Sequence, residues 1–169
     1  MQSTHLIIDN TIAPQIAHLH AASWKVAYRG IFADDYLDGA VEAERLGHWQ
    51  LRVPALVAGT GEIFLAKLGK HAVGFVCIEI GPEREWGGYV DNLHVLPNLR
   101  GKRIGTLLLA SATAWARAQG ERQIYLWVFE ANQQARRFYA REGWRAAERN
   151  IQAIPGGGER PMWRMVKAI

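Results

Sequence analysis

The sequence of 169 residues has a single cysteine, Cys77, and lacks any apolar run of the ~18 residues that a membrane-spanning helix needs. One cysteine excludes an intrachain disulfide and a cysteine-based zinc cluster, and the apolar run around it, VGFVCIEI, indicates a core residue. The first residues, MQSTHLIIDN, lack the basic start and long apolar stretch of a secretion signal. These absences predict one soluble globular domain over residues 1–169, in the cytoplasm and without a membrane partner.

Charge is distributed unevenly along the chain, whose formal net charge is +4. Residues 1–99 carry 7 basic and 11 acidic side chains, whereas residues 100–149 carry 10 basic and 4 acidic ones. A basic segment beside an acidic one favours an anionic ligand in residues 100–149. Nucleic acid is the alternative anionic partner.

Apolar periodicity predicts strands that alternate with helices after a run of hairpins. Helices are expected from about residue 12 to Gly30 and at 34–51, 103–119 and 131–142, and strands at 5–9, 62–68, 72–80, 87–96, 123–129, 144–150 and 160–166. Gly39 and Gly47 weaken the second helix, which can form as two short pieces. This order predicts a mixed α/β (α+β) fold, in which helices cover both faces of a sheet.

A basic loop precedes the strongest helix prediction. Arg100, Lys102 and Arg103 place three positive charges within four residues, and Gly101 and Gly105 let a ligand approach the backbone. The unpaired N–H groups and the dipole of a helix N-terminus favour phosphate, so this loop is a candidate diphosphate site. The P-loop and dinucleotide-binding signatures, GxxxxGK[ST] and GxGxxG, are absent. The alternative is a basic surface turn followed by a core helix.

Two blocks of this sequence resemble the GNAT superfamily of acetyl-CoA-dependent N-acyltransferases. RGKRIG, residues 100–105, resembles its phosphate-binding motif [Q/R]-x-x-G-x-[G/A], with Arg103 where the motif has its first glycine. FEANQQARRFYAREGW, residues 129–144, resembles the later family segment of Asn, a short helix, Phe-Tyr and Gly-aromatic. The resemblance implies a central mixed, mostly antiparallel sheet of about seven strands, acetyl-CoA as cofactor, and a homodimer. It also implies transfer of an acetyl group to a primary amine of a small molecule, an amino acid or a peptide.

The resemblance implies roles for particular residues as well. Tyr139 matches the acid that protonates the leaving thiolate, and Asn132 matches the contact with the pantetheine arm. Strand 87–96 resembles a family strand that splays open and exposes backbone groups. The implied cofactor-binding set is Leu93, His94, Val95, Arg100, Gly101, Lys102, Arg103, Ile104, Gly105, Thr106, Asn132 and Tyr139. The structural alternatives are that Asn132 only caps a helix and that Tyr139 packs in the core.

Direct transfer from a thioester to an amine requires a neutral amine, a polarised carbonyl and a proton for the departing sulfur. Asp91 and Glu79 lie on or near the splayed strand and are the candidate catalytic bases. His94 is a further candidate, although a lone histidine on a strand is more often structural. The alternative for both carboxylates is that they are solvated strand residues.

The acceptor side is predicted from the first helix. Trp24 and Tyr28 are four residues apart and share a helix face, where they line a substrate pocket or, alternatively, belong to the core. His18 and His20 lie on different faces of that helix, and no ligand set completes a site, so we expect no metal.

Two other functions fit parts of the pattern. One is a non-catalytic sensor of the same fold that binds acyl-CoA, and the other is a small basic nucleic-acid-binding module. Aromatic residues are not interleaved with the basic ones as in a single-strand binder. We therefore expect no nucleic-acid partner.

Overall fold

The computed structural model describes residues 12–169, apart from the side chains of Val57 and Thr60. The strand predicted at 5–9 lies outside the described residues. The helices are α1 (Ile12–Ala27), α2 (Val41–Ala55), α3 (Ile104–Ala118) and α4 (Gln133–Arg141). The strands are β1 (Gly61–Leu68), β2 (His71–Glu79), β3 (Gly88–Val95), β4 (Gln123–Phe129), β5 (Arg145–Ala153) and β6 (Glu159–Ala168). The element order predicted for this part of the chain is confirmed.

The helix predicted at 34–51 is divided. A π-helical turn, Tyr36–Ala40, precedes α2 and contains Gly39, one of the two glycines expected to weaken the helix. α2 then runs to Ala55. Pro54 in its last turn cannot donate the backbone hydrogen bond that continues an α-helix, and a second π-helical segment, Leu56–Thr60, follows.

The six described strands form one sheet in the order β1-β2-β3-β4-β6-β5. Every neighbouring pair is antiparallel except β3 and β4, which are parallel. A mixed, mostly antiparallel sheet is therefore confirmed. The seventh strand of the expectation is the segment at 5–9, which lies outside the described residues.

Helices cover both faces of the sheet, as predicted. Successive residues of a strand point to opposite faces, so neighbouring residues of β2 pack against different helices. On β2, Phe75 and Cys77 pack with residues of α1 and α2, whereas Val76 and Ile78 pack with residues of α3. Cys77 is fully buried, which confirms it as a core residue. Within residues 12–169, no helix combines the length and the apolar character needed to cross a bilayer.

Candidate active site

A cavity opens where the two parallel strands part. β3 and β4 are paired only at Gly88 with Ile124 and at Tyr89 with Tyr125, although both strands continue for several residues beyond these pairs. The backbone of β3 from Val90 onward therefore has no partner in β4. A cavity of about 650 Å³ lies in this region, and residues of α1, α2, α3 and α4 complete its walls.

The N-terminus of α3 opens into this cavity. Gly101, Arg103, Ile104, Gly105 and Thr106 line it. No side chain caps the helix, and its first turn contains no acidic residue. The first backbone N–H groups of a helix have no intrahelical acceptor, so this end offers hydrogen-bond donors and partial positive charge to an anion.

Arg103 has a left-handed backbone conformation, with φ of 60°. It is the only non-glycine residue with positive φ in residues 12–169. A side chain makes this conformation unfavourable by roughly 1–2 kcal/mol, whereas glycine adopts it freely. The structure thus explains why the family motif has glycine where this chain has Arg103.

Two other side chains of the loop have different surroundings. The guanidinium of Arg100 donates to the hydroxyl of Ser23 on α1 across 3.3 Å, and burial lowers the pKa of Arg100. Arg100 lines the cavity, but its side chain reaches toward α1. Lys102 is exposed and does not line the cavity.

Tyr139 and Asn132, the two candidate site residues of segment 129–144, both line the cavity. Tyr139, on α4, is 8% exposed and packs against the rings of Phe138 and Trp144 at centroid distances of 5.3 and 5.7 Å. Burial raises the pKa of Tyr139, so its hydroxyl is protonated at neutral pH. The side chain of Asn132 accepts the backbone N–H of Ala135 at 3.1 Å and caps α4. Both residues therefore have a packing or capping role as well as a place at the cavity.

Asp91 lies on a β-bulge of β3. Cys77 is opposite Asn92 and Ile78 is opposite Val90, so Asp91 has no partner on β2. A bulge re-aims the side chain of the extra residue, and Asp91 lines the cavity. Its Oδ2 accepts the side-chain amide of Asn92 at 2.7 Å, and its side chain is 23% exposed. Burial raises the pKa of this carboxyl group, which makes it a stronger base when it is ionised.

Glu79 is held away from the cavity. Its carboxylate pairs with the guanidinium of Arg52 at 2.7 Å, whereas Arg52 approaches Asp91 only to 3.6 Å. Glu79 is not among the residues that line the cavity. The geometry therefore favours Asp91 over Glu79 as the base.

His94 also lines the cavity, as a partly buried and neutral ring. Its Nδ1 lies 3.0 Å from the hydroxyl oxygen of Ser23, and its ring centroid lies 4.4 Å from that of His20. Burial, followed by the positive charges of Arg100 and Arg45, lowers the pKa of His94 to about 3. An imidazole with so low a pKa is a poor base at neutral pH.

Aromatic side chains form the wall of the cavity on the α1 side. The ring of Trp24 lies 5.3 Å from that of Tyr28, which lies 5.0 Å from that of Phe129. Trp24 and Tyr28 line the cavity, and Trp24 is at the same time part of a buried cluster. Burial raises the pKa of Tyr28 to about 12. The pocket and core interpretations of these two residues are thus compatible.

Sequence reasoning missed two polar residues of this wall, Arg45 and His48 on α2. Their spacing of three residues places them on one helix face, and Arg45 lies on the buried side of α2 with Val41 and Trp49. A cation on an otherwise apolar helix face was the available signal.

Within residues 12–169, no group of three or more His, Cys, Asp or Glu side chains is arranged to hold a metal ion. The expectation that the protein uses no metal stays a prediction.

Comparison with known proteins agrees with this geometry. The sequence profile of the Acetyltransferase (GNAT) family matches residues 16–144. An uncharacterised N-acetyltransferase of Archaeoglobus fulgidus is 36% identical over 90 residues, which are 51% of this chain and 61% of that protein. An aminoalkylphosphonate N-acetyltransferase of Salmonella typhimurium is 42% identical over 60 residues, which are 36% of this chain and 39% of that protein. The chain thus spans less than two thirds of these curated relatives.

The fold is shared with solved structures over the full length. The PaiA N-acetyltransferase of Thermoplasma acidophilum, solved in complex with coenzyme A, superposes with a TM-score of 0.77 at 17% identity and covers 100% of both chains. At this identity the likeness shows the fold alone. The family profile matches more than half of the sequence and includes the loop before α3, β3 and α4. The chain belongs to the acetyltransferase (GNAT) family.

Proposed function

We propose that the protein is an N-acetyltransferase that moves an acetyl group from acetyl-CoA directly to a primary amine of a small molecule, an amino acid or a peptide. One observation carries this proposal. A single cavity, between two strands that part, contains an uncapped helix N-terminus, the phenol of Tyr139 and the carboxylate of Asp91.

The residues near the start of α3 fit the diphosphate of acetyl-CoA. The backbone N–H groups of Ile104 and Gly105 belong to a first turn without a side-chain cap, and Arg103 adds positive charge. The hydroxyl of Thr106 donates a hydrogen bond to the carboxylate of Glu142 at 2.6 Å. The backbone N–H of Thr106 is therefore the group left for an anion. These donors match an oxyanion better than a neutral ligand.

The middle of the cavity fits the pantetheine arm. Backbone groups of β3 beyond Tyr89 have no partner in β4, which supports a role for Leu93 and Val95 in binding amide and thioester oxygens. Asn132 lines the same cavity from the start of α4. When bound, acetyl-CoA supplies the thioester carbonyl that the amine attacks.

Two side chains, those of Asp91 and Tyr139, can accept and donate the protons that the reaction transfers. Asp91 accepts a proton from the amine at its carboxylate oxygen, directly or through water, and its raised pKa favours that transfer. Tyr139 keeps its proton at neutral pH and can donate it from the phenol oxygen to the departing sulfur. An acid and a base that line one cavity suit an amine attack followed by thiolate departure.

One relative supports a small amine as acceptor. The Salmonella protein is named for aminoalkylphosphonates, which are small amines, and the match includes 36% of this chain. A homodimer and a cytoplasmic location remain predictions.

The experiment that tests the proposed function follows free thiol after acetyl-CoA is mixed with a panel of primary amines. We expect acetyl-CoA to raise the melting temperature, because a ligand at a hundredfold excess over its Kd stabilises the native state by about 2.7 kcal/mol. We also expect amine-dependent thiol release. Stabilisation without thiol release from any amine would favour the acyl-CoA sensor, and stabilisation by short DNA but not by CoA would favour the nucleic-acid module.

A further inference from the structure

A buried cation lies in the part of the cavity wall that α2 forms. Arg45 on α2 lines the cavity and is 8% exposed. Its guanidinium carbon lies 4.5 Å from the ring centroid of Trp24, a residue of the aromatic wall on α1. Burial of a charge is costly unless the charge is matched by a partner.

The partners of Arg45 within the described residues leave part of this guanidinium unsatisfied. Its Nη2 donates to the carboxylate of Glu44 at 2.9 Å, and that side chain is 41% exposed. A pair with so exposed a carboxylate contributes little. The Nε atom is buried and has no hydrogen-bond partner in residues 12–169. A buried donor left in this way destabilises the protein, and a bound acceptor would recover that loss.

Two further nitrogen atoms beside Arg45 are in the same condition. Trp24 Nε1 and His48 Nε2 are buried and have no partner in the described part of the chain, and both residues line the cavity. Arginine and tryptophan side chains are donors only, and a neutral histidine donates from one nitrogen. Burial lowers the pKa of His48 to about 4, with the charge of Arg45 as the next cause, so this ring is neutral at pH 7. Arg45 Nε and Trp24 Nε1 are thus two donors, unpaired within residues 12–169, beside one positive charge, which together favour an acceptor oxygen with negative charge.

The same cavity contains the opposite charge at Asp91. Burial raises the pKa of Asp91, and this effect is opposed first by the positive charge of Arg52 and, as a smaller cause, by that of Arg45. An amine directed to Asp91 would thus have an anion-binding group within the same cavity.

We propose that the acceptor is a primary amine that also carries an anionic oxygen group, a carboxylate, phosphonate or phosphate, and that Arg45 binds this group while the amine faces Asp91. This inference rests on the proposed function. Arg45 is then a specificity-determining residue. It is assigned no part in proton transfer.

The test uses acceptors that differ only in the group opposite the amine. ω-Amino acids, ω-aminoalkylphosphonates, ω-amino amides and diamines of two to five carbons are compared by thiol release at saturating acetyl-CoA. We expect the best anionic acceptor to exceed the amide and the diamine of the same length by about 10- to 100-fold in kcat/KM, the usual effect of one hydrogen-bonded charge. The ranking of carboxylate against phosphonate identifies the anionic group.

Variants separate the charge of Arg45 from its packing. Arg45→Gln should reduce the ratio of kcat/KM between the anionic acceptor and its amide to near one, whereas Arg45→Lys should retain part of it. Arg29→Gln is the matched control, because Arg29 is an arginine that pairs with Asp34 and Asp38 and does not line the cavity. It should leave the ratio unchanged. Acetyl-CoA affinity, measured by titration calorimetry, verifies that each variant is folded.

Each result decides the inference. A preference for amides or diamines, or a ratio that survives Arg45→Gln, would overturn it and leave the acetyltransferase proposal intact. Acetyl-CoA binding without turnover of any anionic amine would overturn it as well. Failure to bind acetyl-CoA at all would instead refute the proposed function on which it rests.

Discussion

At the scale of single residues, the backbone conformation of Arg103 relates the sequence motif of the loop to the proposed diphosphate site. Its φ of 60° belongs to the left-handed region, and the residue stands at the start of α3 where the proposed diphosphate would lie. The side chain adds positive charge to the cavity but keeps the loop in a conformation that favours glycine. Charge and backbone strain therefore oppose each other at this position.

Arg103→Gly should raise the free energy of unfolding relative to Lys102→Gly by about 1 kcal/mol, because only the first substitution removes a left-handed side chain. Both changes add the same flexibility to the unfolded chain, and Lys102 has no positive φ. Urea unfolding of the two variants gives the difference. Equal stabilities would mean that Arg103 is not strained.

The two candidate bases make a second residue-scale prediction. Asp91→Asn should reduce kcat/KM by about 10²-fold, the usual contribution of a positioned base. Glu79→Gln should cause a much smaller loss, since Glu79 pairs with Arg52 and does not line the cavity. Steady-state kinetics on the best acceptor compares the two variants. A larger loss of kcat/KM in Glu79→Gln than in Asp91→Asn would identify Glu79 as the base.

At the scale of elements, alternation and helical spacing were sufficient to predict most strands and helices. The apolar run at 123–129 became β4, and the pattern that ends at Gly120 became α3. Two features could not be read in this way. The bulge at Asp91 moves the core-facing positions of β3 from Val90 to Leu93 and Val95, a shift of one residue that alternation alone did not identify as a bulge. The π-helical turn at Tyr36–Ala40 changes the hydrogen bonding of a helix and has no specific sequence pattern.

The site was predictable to the extent that it follows local motifs. The loop at 100–106 and the segment with Asn132 and Tyr139 came from the family resemblance. Arg45 and His48 come from α2, which is distant in sequence from these segments. Their place at the cavity depends on how α2 packs against α1, and no local pattern specifies that packing.

The first turn of α3 carries an element-scale prediction. A Cβ atom at Gly105 would lie 3.1 Å from the ring of Phe138. Under the proposed function, we expect it also to crowd the diphosphate at the helix N-terminus. Gly105→Ala should weaken acetyl-CoA binding by about tenfold, the equivalent of one lost hydrogen bond to a charged group. The double variant Gly105→Ala/Phe138→Leu relieves the contact with the ring. Titration calorimetry should find that the double variant still binds acetyl-CoA weakly. If its affinity returned to that of the parent, the substitution Gly105→Ala would have disturbed only the packing against Phe138.

At the scale of the whole molecule, the basic residues of 100–149 serve more than one purpose. Arg103 and Arg141 line the cavity, whereas Arg149 pairs with Glu130 on the surface at 2.7 Å. The basic residues of this segment thus reach the cavity only in part, and the anionic ligand that their charge indicated there stays a prediction. Three histidines, the buried His20 and the partly buried His48 and His94, add a pH dependence that net charge does not predict.

Stability should fall as the medium becomes acidic. Burial lowers the pKa of His94 to about 3 and that of His48 to about 4, and it lowers the pKa of His20 as well. The unfolded chain, with histidine pKa values near 6.5, therefore binds more protons below that pH. Stability is fully present above about pH 6.5 and decreases toward the folded-state pKa values, by up to ~1.4 kcal/mol per pH unit for each histidine.

Urea unfolding between pH 7.5 and pH 5 measures this slope. His94→Gln should flatten it, because the variant loses one histidine whose pKa differs between the folded and unfolded states. If the stability of the wild-type protein did not vary over this range, the histidines would not stay neutral in the folded state, and the account of their pKa values would be wrong.

The proton donated to the departing sulfur is the central claim, and Tyr139→Phe tests it most directly because the substitution removes one hydroxyl and keeps the buried ring. The measurement is kcat for thiol release with the best acceptor, with acetyl-CoA affinity and melting temperature determined on the same preparations. We predict a fall in kcat of about 10²-fold or more, with affinity and melting temperature near those of the parent. Full turnover by Tyr139→Phe would contradict the account and leave Tyr139 a core residue.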